Sequence, residues 1–352
     1  MKHLDGNQIL AIQAAREEGI VNLSESMLEK DVLVRDVIAT VCRAGDALGA
    51  QIIFCGGTAL SQAHCVIDRM SEDADFRIVV PDDIKGQGPK RRFLSSVKAA
   101  IEAAVTQAGF PLDGEMKGRN GNEYIMGQFA YQSAFAGQDE ALRPHIKLEI
   151  TAFNPISPVN LRPLRTILDR IGVPQEGGAP APVVPVVSIA DTVADKVVGY
   201  LRRTAQDQAG LGRGAYDDRL VRHLYDIYHI VERAPKAVSI DHIAPLLAGV
   251  VARDQATYGN QFPAFRENHW GILQETLSAV AADPATRDRY DHFCRAMIWG
   301  ATPAFQDVAA RFTQFAGEVL GRAQALAATG GPAVRPVKDP ALRGAHNPGI
   351  SD

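Results

Sequence analysis

The sequence predicts an α/β protein: a small mixed β-sheet preceded by helices and followed by an all-helical C-terminal part. Three observations carry that expectation. The hydrophobic period changes from helical to strand-like at Gln51, four short β-rich runs follow within about a hundred residues, and nearly everything after Pro185 returns to a helical period. At 352 residues, 46% of them apolar, the chain can bury more than one core, so two domains are expected, at 1–175 and 185–328, with a flexible tail at 329–352.

The elements follow in order. The first forty-odd residues hold two helical patterns. In the second, Leu28, Val32, Val37, Val41 and Leu48 recur at helical intervals, with Ser24 or Ser26 as cap and Gly49 as stop. QIIFC (Gln51 to Cys55) is a strand ended by Gly56-Gly57, and a new helix starts at Thr58. DFRIVV (Asp75 to Val80) is a second strand, and Arg91 to Ala108 an amphipathic helix. NEYIMGQFAYQSAF (Asn122 to Phe135, Gly127 marking a bulge) and HIKLEITAF (His145 to Phe153) are two further strands. VPQEGGAPAPVVP, between Ile171 and Pro185, marks the internal boundary. Helices are then expected at 190–204, 216–231, 241–253, 269–281, 284–298 and 303–327, and the tail after Gly330 is too poor in apolar residues to pack.

Composition narrows the function. With 37 basic and 41 acidic side chains the net charge is −4, so any contact with nucleic acid must be local, and no global positive field draws the chain to a membrane. Cys42, Cys55, Cys65 and Cys294 form no regular framework, which suggests reduced thiols in a cytoplasmic protein. The N-terminus lacks a signal-peptide core, and the longest apolar run, Leu246 to Ala252, is too short to span a bilayer.

The densest chemistry lies in FCGGTALSQAHCVIDRMSEDADF. Asp73 and Asp75 are two apart at the start of a strand, so their carboxylates share a face while Ala74 and Phe76 take the other. Two carboxylates so close repel, and a divalent cation preferring hard oxygen relieves that. In the later strand Lys147, Glu149 and Thr151 share one face and Leu148 and Ile150 the other, so Glu149 can supply a third carboxylate from a neighbouring strand. Three carboxylates beside a glycine turn suit two-metal phosphoryl or nucleotidyl transfer. A lone D-x-D is more often a solvated strand edge, and it is the combination with G-G-T and K-x-E that favours metal.

These residues carry a resemblance. The stretch from Leu28 to Val80 resembles the AbiEii/AbiGii nucleotidyltransferase toxins, whose MenA-type members belong with the DNA polymerase β-like nucleotidyltransferases. The family's ordered motifs are matched by Glu29-Lys30-Asp31, Gly56-Gly57-Thr58-Ala59-Leu60 and Arg69-Met70-Ser71-Glu72-Asp73-Ala74-Asp75, then by KLEI (Lys147 to Ile150), ADKVVGYLRR (Ala194 to Arg203) and RHLYDIYHI (Arg222 to Ile230). The resemblance implies a nucleotidyltransferase palm, an NTP substrate and Mg²⁺ or Mn²⁺ as cofactor. It also implies a toxin of a type IV-like toxin–antitoxin or phage-abortive system, with a cognate antitoxin encoded nearby and a tRNA 3′ end as acceptor. By motif, Asp73, Asp75 and Glu149 would hold metal. Gly57, Thr58, Ser71 and Lys196 would contact the nucleotide, and Asp226 would be the essential acid of the last motif. Two alternatives stand beside transfer to tRNA: transfer of NMP to protein hydroxyls, and a non-catalytic nucleotide- or partner-binding module.

Helical spacing bears on the last two residues. Lys196, Tyr200 and Arg203 share one face while Val193, Val197 and Leu201 share another, so the lysine is expected on a polar face bordering a cleft. Leu220, Leu224, Ile227 and Val231 form a core stripe with Arg219, Arg222 and Asp226 opposite, either facing the cleft or as a solvated face with an Arg222–Asp226 pair. The weaker features read as structural. Lys85, Lys90, Arg91, Arg92 and Lys98 form a solvated helix start rather than an RNA contact, GLGRG (210–214) is an interhelical loop, and Tyr225 and Tyr228 pack. His223 and His229, six apart, do not stack as metal ligands, and His64-Cys65 has no third partner for a catalytic dyad.

Overall fold

The computed structural model describes residues 1–135, 139–173, 180–212 and 214–329. The expected tail from residue 330 on, and the middle of the Pro/Gly cluster, lie outside them. Helix α1 (Gly6–Glu17) starts at a capping box on Asp5, and α2 (Glu25–Ala47) at Ser24, whose hydroxyl accepts from the Met27 N–H. Gly49, at φ +62°, turns the chain out of α2 into β1 (Gln51–Cys55). Beyond β1, α3 (Gly56–Thr58) runs on as one π-helical stretch, Ala59–Ala63, before β2 (Asp73–Val79) and α4 (Gln87–Gln107). Five more strands complete the sheet, the first four being β3 (Lys117–Arg119), β4 (Tyr124–Phe129), β5 (Ile146–Thr151) and, after a loop, β6 (Asn160–Pro163). A single-turn helix, α5 (Ile167–Arg170), leads to the last, β7 (Val183–Val186).

The seven strands lie in the order β3-β4-β5-β2-β1-β7-β6. Its centre is the parallel pair β2 and β5, with β1 antiparallel to β2 and β4 antiparallel to β5, which makes the sheet mixed as expected. One face is apolar: Ala74, Phe76, Ile125, Phe129, Leu148 and Ile150 are all buried and pack with α1, α2 and α4. Period-two alternation thus leaves the other face to the polar residues of the same strands.

Helices α6 (Ile189–Gln208), α7 (Arg222–Arg233), α8 (Ile240–Tyr258), α9 (Pro263–Ala279), α10 (Pro284–Met297) and α11 (Phe305–Ala328) build a second apolar cluster around Val197, Leu224, Leu247, Phe312 and Val319. α9 begins earlier than the expected 269 because two helices meet at a kink at Asn268 (φ −138°). The helical part is tied back to the sheet part at several places, among them Arg77 of β2 with Asp195 of α6 and a strip of backbone bonds. Met70 N–H donates to Met297 O, and Trp299 N–H to Asp68 O. Among the described residues no helix is long and apolar enough to cross a membrane.

Three expectations need correction. Gly127 is no bulge: β4 pairs with β5 in unbroken register, Gly127 opposite Leu148, and a Cβ there would meet Met116 Cγ at 2.8 Å, so close packing is what selects glycine. The sheet extends into the Pro/Gly segment, since β7 lies at Val183–Val186 and pairs with β1 at Phe54↔Val186. Tyr200 is not on a polar face but buried, edge-on to Phe312 with ring centroids 5.4 Å apart.

Candidate active site

The polar face of the sheet brings the three carboxylates together through register. Asp73 lies opposite Lys147 and Asp75 opposite Glu149 across the β2–β5 pair. Directly opposed residues share a face, so Asp73, Asp75, Lys147 and Glu149 form one polar square at the sheet centre. Burial raises the carboxyl of Asp75 to about 7, and the charges of Asp73 and Glu149 push in the same direction. Glu149 is held below the usual carboxylate range. Burial opposes this, but Lys147 Nζ at 2.8 Å and the hydroxyl of Tyr124, which donates to Oε1, prevail. Asp73 accepts from Arg143 and has Arg222 Nη2 at 3.8 Å. Among the described residues no group of three or more His, Cys, Asp or Glu is arranged as a ready metal cage. The donor chemistry nevertheless suits a hard divalent cation, because three carboxylates crowd one face and Asp75 carries the charge penalty of the other two.

The glycine turn is selected by these same side chains. Gly56 has φ +80°, and a Cβ on it would run into the Asp75 carboxylate. At Gly57 a Cβ would sit 2.5 Å from Arg69 Nη2 and 3.1 Å from Ser71 Oγ. Thr58 is buried, its Oγ1 donating to the Asp73 carbonyl at 2.5 Å and lying 2.9 Å from Ser71 Oγ. The turn therefore fixes the start of β2, and with it the direction of both aspartates.

From the other side α7 and the single 3₁₀ turn that precedes it (Asp218–Val221) clamp the same strip. Arg219 donates to Glu72, Arg222 stands beside Asp73, and Asp226 accepts from Arg69 Nε at 2.6 Å and Nη2 at 2.8 Å. Lys196 Nζ of α6 is 2.8 Å from Asp226 Oδ2. So the charged face of α7 is neither solvated nor an open cleft wall. It docks on residues 69–73, and Asp226 takes Arg69 and Lys196 as partners rather than Arg222. Asp226 is 0% exposed and Arg69 1%. Burial alone would raise the Asp226 carboxyl, but Arg69 and Lys196 hold it far below the carboxylate range. Burial also lowers the Lys196 ammonium, against the pull of Asp226. In this structure, then, both Asp226 oxygens are taken up by Arg69 and Lys196.

Glu29-Lys30-Asp31 forms a third support. All three are buried on α2. Glu29 accepts from Ser133 Oγ (2.5 Å) and Ala134 N–H (2.7 Å). Lys30 donates to Glu72 Oε2 (2.6 Å) and the Arg143 carbonyl (2.6 Å), and Asp31 accepts from Gln62 Nε2 (2.8 Å) and Ile167 N–H (2.6 Å). Buried ionic groups this completely paired hold a geometry rather than add net stability.

Sequence reasoning named Arg69 within a motif and Arg219 and Arg222 on a charged face, but placed no arginine in the site. Arg143, Arg219 and Arg222 reach Glu72 and Asp73, and Arg69 reaches Asp226. The spacing of Arg219 and Arg222 against Asp226 was the one available signal, whereas nothing local marks Arg143. His64 Nε2 pairs with the Val187 carbonyl at 2.8 Å and Cys65 lies near the Gln62 carbonyl, so no dyad forms there. His223 pairs with the Lys196 carbonyl at 3.2 Å, and His229 lies against Tyr225 with ring centroids 4.2 Å apart.

A model of the family "Nucleotidyl transferase AbiEii toxin, Type IV TA system" matches residues 42–311. Two solved structures resemble the chain. MenT4, a nucleotidyltransferase toxin from Mycobacterium tuberculosis H37Rv, shares 16% identity over 86% of this chain and 85% of its own, with a TM-score of 0.45. An antigenic nucleotidyltransferase-like protein from Paracoccidioides brasiliensis shares 13% over 68% of this chain and 92% of its own, with a TM-score of 0.31. Likenesses this distant carry no argument below, and no curated protein sequence matches the chain. The family match spans the glycine turn, all three carboxylates, Lys196 and Asp226, and on that match the chain belongs to the AbiEii nucleotidyltransferase toxins of type IV toxin–antitoxin systems.

Proposed function

We propose that the chain transfers a nucleoside monophosphate from an NTP to the 3′ hydroxyl of a tRNA, with Mg²⁺ or Mn²⁺ as cofactor, and that an antitoxin encoded nearby restrains it. The observation that carries this reading is the β2–β5 register, which sets Asp75 against Glu149 with Asp73 one step along the same face. Asp73, Asp75 and Glu149 would hold the divalent ion, which supplies positive charge at the α-phosphate and lowers the pKa of the attacking hydroxyl.

The chain's own residues do the rest. Arg143, Arg222 and Lys147, with side chains 28%, 22% and 24% exposed, ring the carboxylates where a triphosphate would enter. Their charge orients the nucleotide and offsets what accumulates as pyrophosphate departs. In that step the acceptor oxygen forms a bond to the α-phosphorus, the bond to the β-phosphate oxygen breaks, and the hydroxyl proton passes to the carboxylate cluster. Lys196 lies behind this ring, paired to Asp226, and contributes field rather than direct reach. Gly57, Thr58 and Ser71 hold the start of β2 in place.

The test is transfer of label from α-³²P NTPs to total tRNA, before and after periodate oxidation of the RNA 3′ diol. Label on intact tRNA that disappears after oxidation supports the reading. Label on protein bands instead would replace it with protein nucleotidylation.

A further inference from the structure

Beyond the carboxylates the polar face continues outward to the edge of the sheet. Across β4 and β3 the register runs Glu149↔Met126↔Lys117, so Met126 is the immediate neighbour of Glu149 and Lys117 the next residue out. All three stand on the same face, as do Gln128 and Tyr124 on either side of Met126. A cavity of about 300 Å³ opens on this outer part, lined by Met126, Gln128 and Lys117 and by Asp113, Gly114 and Glu115. That is the low end of the range for small-molecule sites, room for one nucleoside and too little for an oligonucleotide.

The lining indicates a class of ligand. Met126 offers a flat, polarisable thioether surface of the kind that packs well against an aromatic ring. Gln128 can both donate and accept, while Asp113 and Glu115 only accept and repel phosphate, so they favour a neutral heterocycle presenting N–H groups. Lys117 is exposed at the mouth, and Arg119, two residues on along β3, lies over the Tyr124 ring at 5.9 Å. A phosphodiester arriving from the sheet edge meets these two cations before it meets any carboxylate of the site. The NTP has its better seat elsewhere, since Arg143 and Arg222 lie beyond Glu149 toward β2 and α7, while Lys147, opposite Gln128 in the β4–β5 register, is held by Glu149.

We propose that this cavity seats the 3′-terminal nucleoside of the acceptor strand. Its base rests on Met126, its last phosphate lies at Lys117, and its 3′ hydroxyl is thereby presented at Glu149. The assignment rests on the RNA-acceptor reading above. Lysine and arginine on a short edge strand also discourage strand-to-strand association, and a guard role of that kind predicts a different result.

The experiment uses the full chain and a tRNA transcript ligated to end in either adenosine or an abasic ribose, which keeps the hydroxyl but removes the base. For the wild type, the abasic end is expected to raise acceptor KM at least tenfold with NTP KM unchanged. Met126→Trp, which fills the cavity, is expected to raise KM for the adenosine end to the same level and so erase the difference between the two RNAs. Lys117→Glu lies on the exposed edge and spares the interior. It is expected to raise KM severalfold for both ends and to flatten the salt dependence by about one phosphate contact. A thermal melt and binding of a fluorescent NTP confirm that each variant is folded. Equal KM for the two RNAs with wild type, or a difference that survives Met126→Trp, overturns the cavity assignment while leaving RNA transfer intact. A guard role for Lys117 would show as self-association of Lys117→Glu with acceptor KM unchanged. Failure of wild type to label either RNA would instead remove the acceptor reading, and the cavity assignment with it.

Discussion

Replacing Asp226 with alanine separates a structural carboxylate from a catalytic one. Its two oxygens accept from Arg69 Nε and Nη2 and pair with Lys196 Nζ, all within 2.6–2.8 Å, and the side chains of Arg69, Asp226 and Lys196 are 1%, 0% and 8% exposed. Removing one partner of a single buried pair costs about 3–5 kcal/mol, because the other charge is left buried alone. Here two cations lose their partner, so Asp226→Ala should reach at least that range, a large share of the roughly 5–15 kcal/mol that holds a domain together. Lys196→Met leaves Asp226 with its two bonds from Arg69 and should cost less. The double variant should be more stable than the sum of the singles implies, by about 1–3 kcal/mol of coupling.

The assay is urea unfolding at constant m, read by circular dichroism. The pH dependence has a definite sign. The folded carboxyl is held below its unfolded value of roughly 3.9, so its contribution is fully present above that value and is lost only as pH falls through the acid range below it. The Asp226→Ala deficit should accordingly be constant from about pH 5 to 8 and shrink in stronger acid. A variant within about 0.5 kcal/mol of wild type yet dead in transfer would refute this reasoning and return Asp226 to the role of a substrate-facing acid.

Two further predictions follow from the same geometry. Gly56→Ala places a methyl against the Asp75 carboxylate at a φ of +80° and should abolish transfer, whereas Gly57→Ala, pressing on the tip of Arg69, should mainly destabilise, by about 1–3 kcal/mol; unfolding and transfer rates measured side by side check the split. His229, lowered to about 4 by burial with Arg233 adding to it, has an Nε2 without a hydrogen-bond partner. The unfolded chain takes up that proton first, so stability should fall as pH drops from about 6.5 to 4, and His229→Phe should flatten the slope; equal slopes in both proteins would contradict it.

Much of the site was legible because strands have period two. Asp73 with Asp75, and Lys147 with Glu149, announce a shared face from spacing alone, and the parallel register then aligned them. The core stripe of α7 was equally visible. The destination of its charged face, and of Arg219 in the 3₁₀ turn before it, was not, because Arg219, Arg222 and Asp226 find partners about 150 residues away in sequence at Glu72, Asp73 and Arg69, and no helical period encodes a contact that distant. The pairing of Lys196 with Asp226 was hidden for the same reason: its helix, α6, is buried along most of its length, and the partner lies thirty residues on. Strands β3, β6 and β7 went unseen because they are short. β3 is three exposed residues, and β6 and β7 carry Pro163 and Pro185, which ordinarily argue against a strand.

The central claim is that carboxylates from two parallel strands form one nucleotidyl-transfer centre, and one gel tests it. Wild type, Asp75→Asn and Glu149→Gln are incubated with Mg²⁺, total tRNA and each α-³²P NTP in turn, with folding checked by thermal melt. Label on tRNA with wild type, and its loss by more than a hundredfold in both folded variants, is the expected result. Full transfer by either variant would mean that the pair joined by the β2–β5 register does not carry the chemistry.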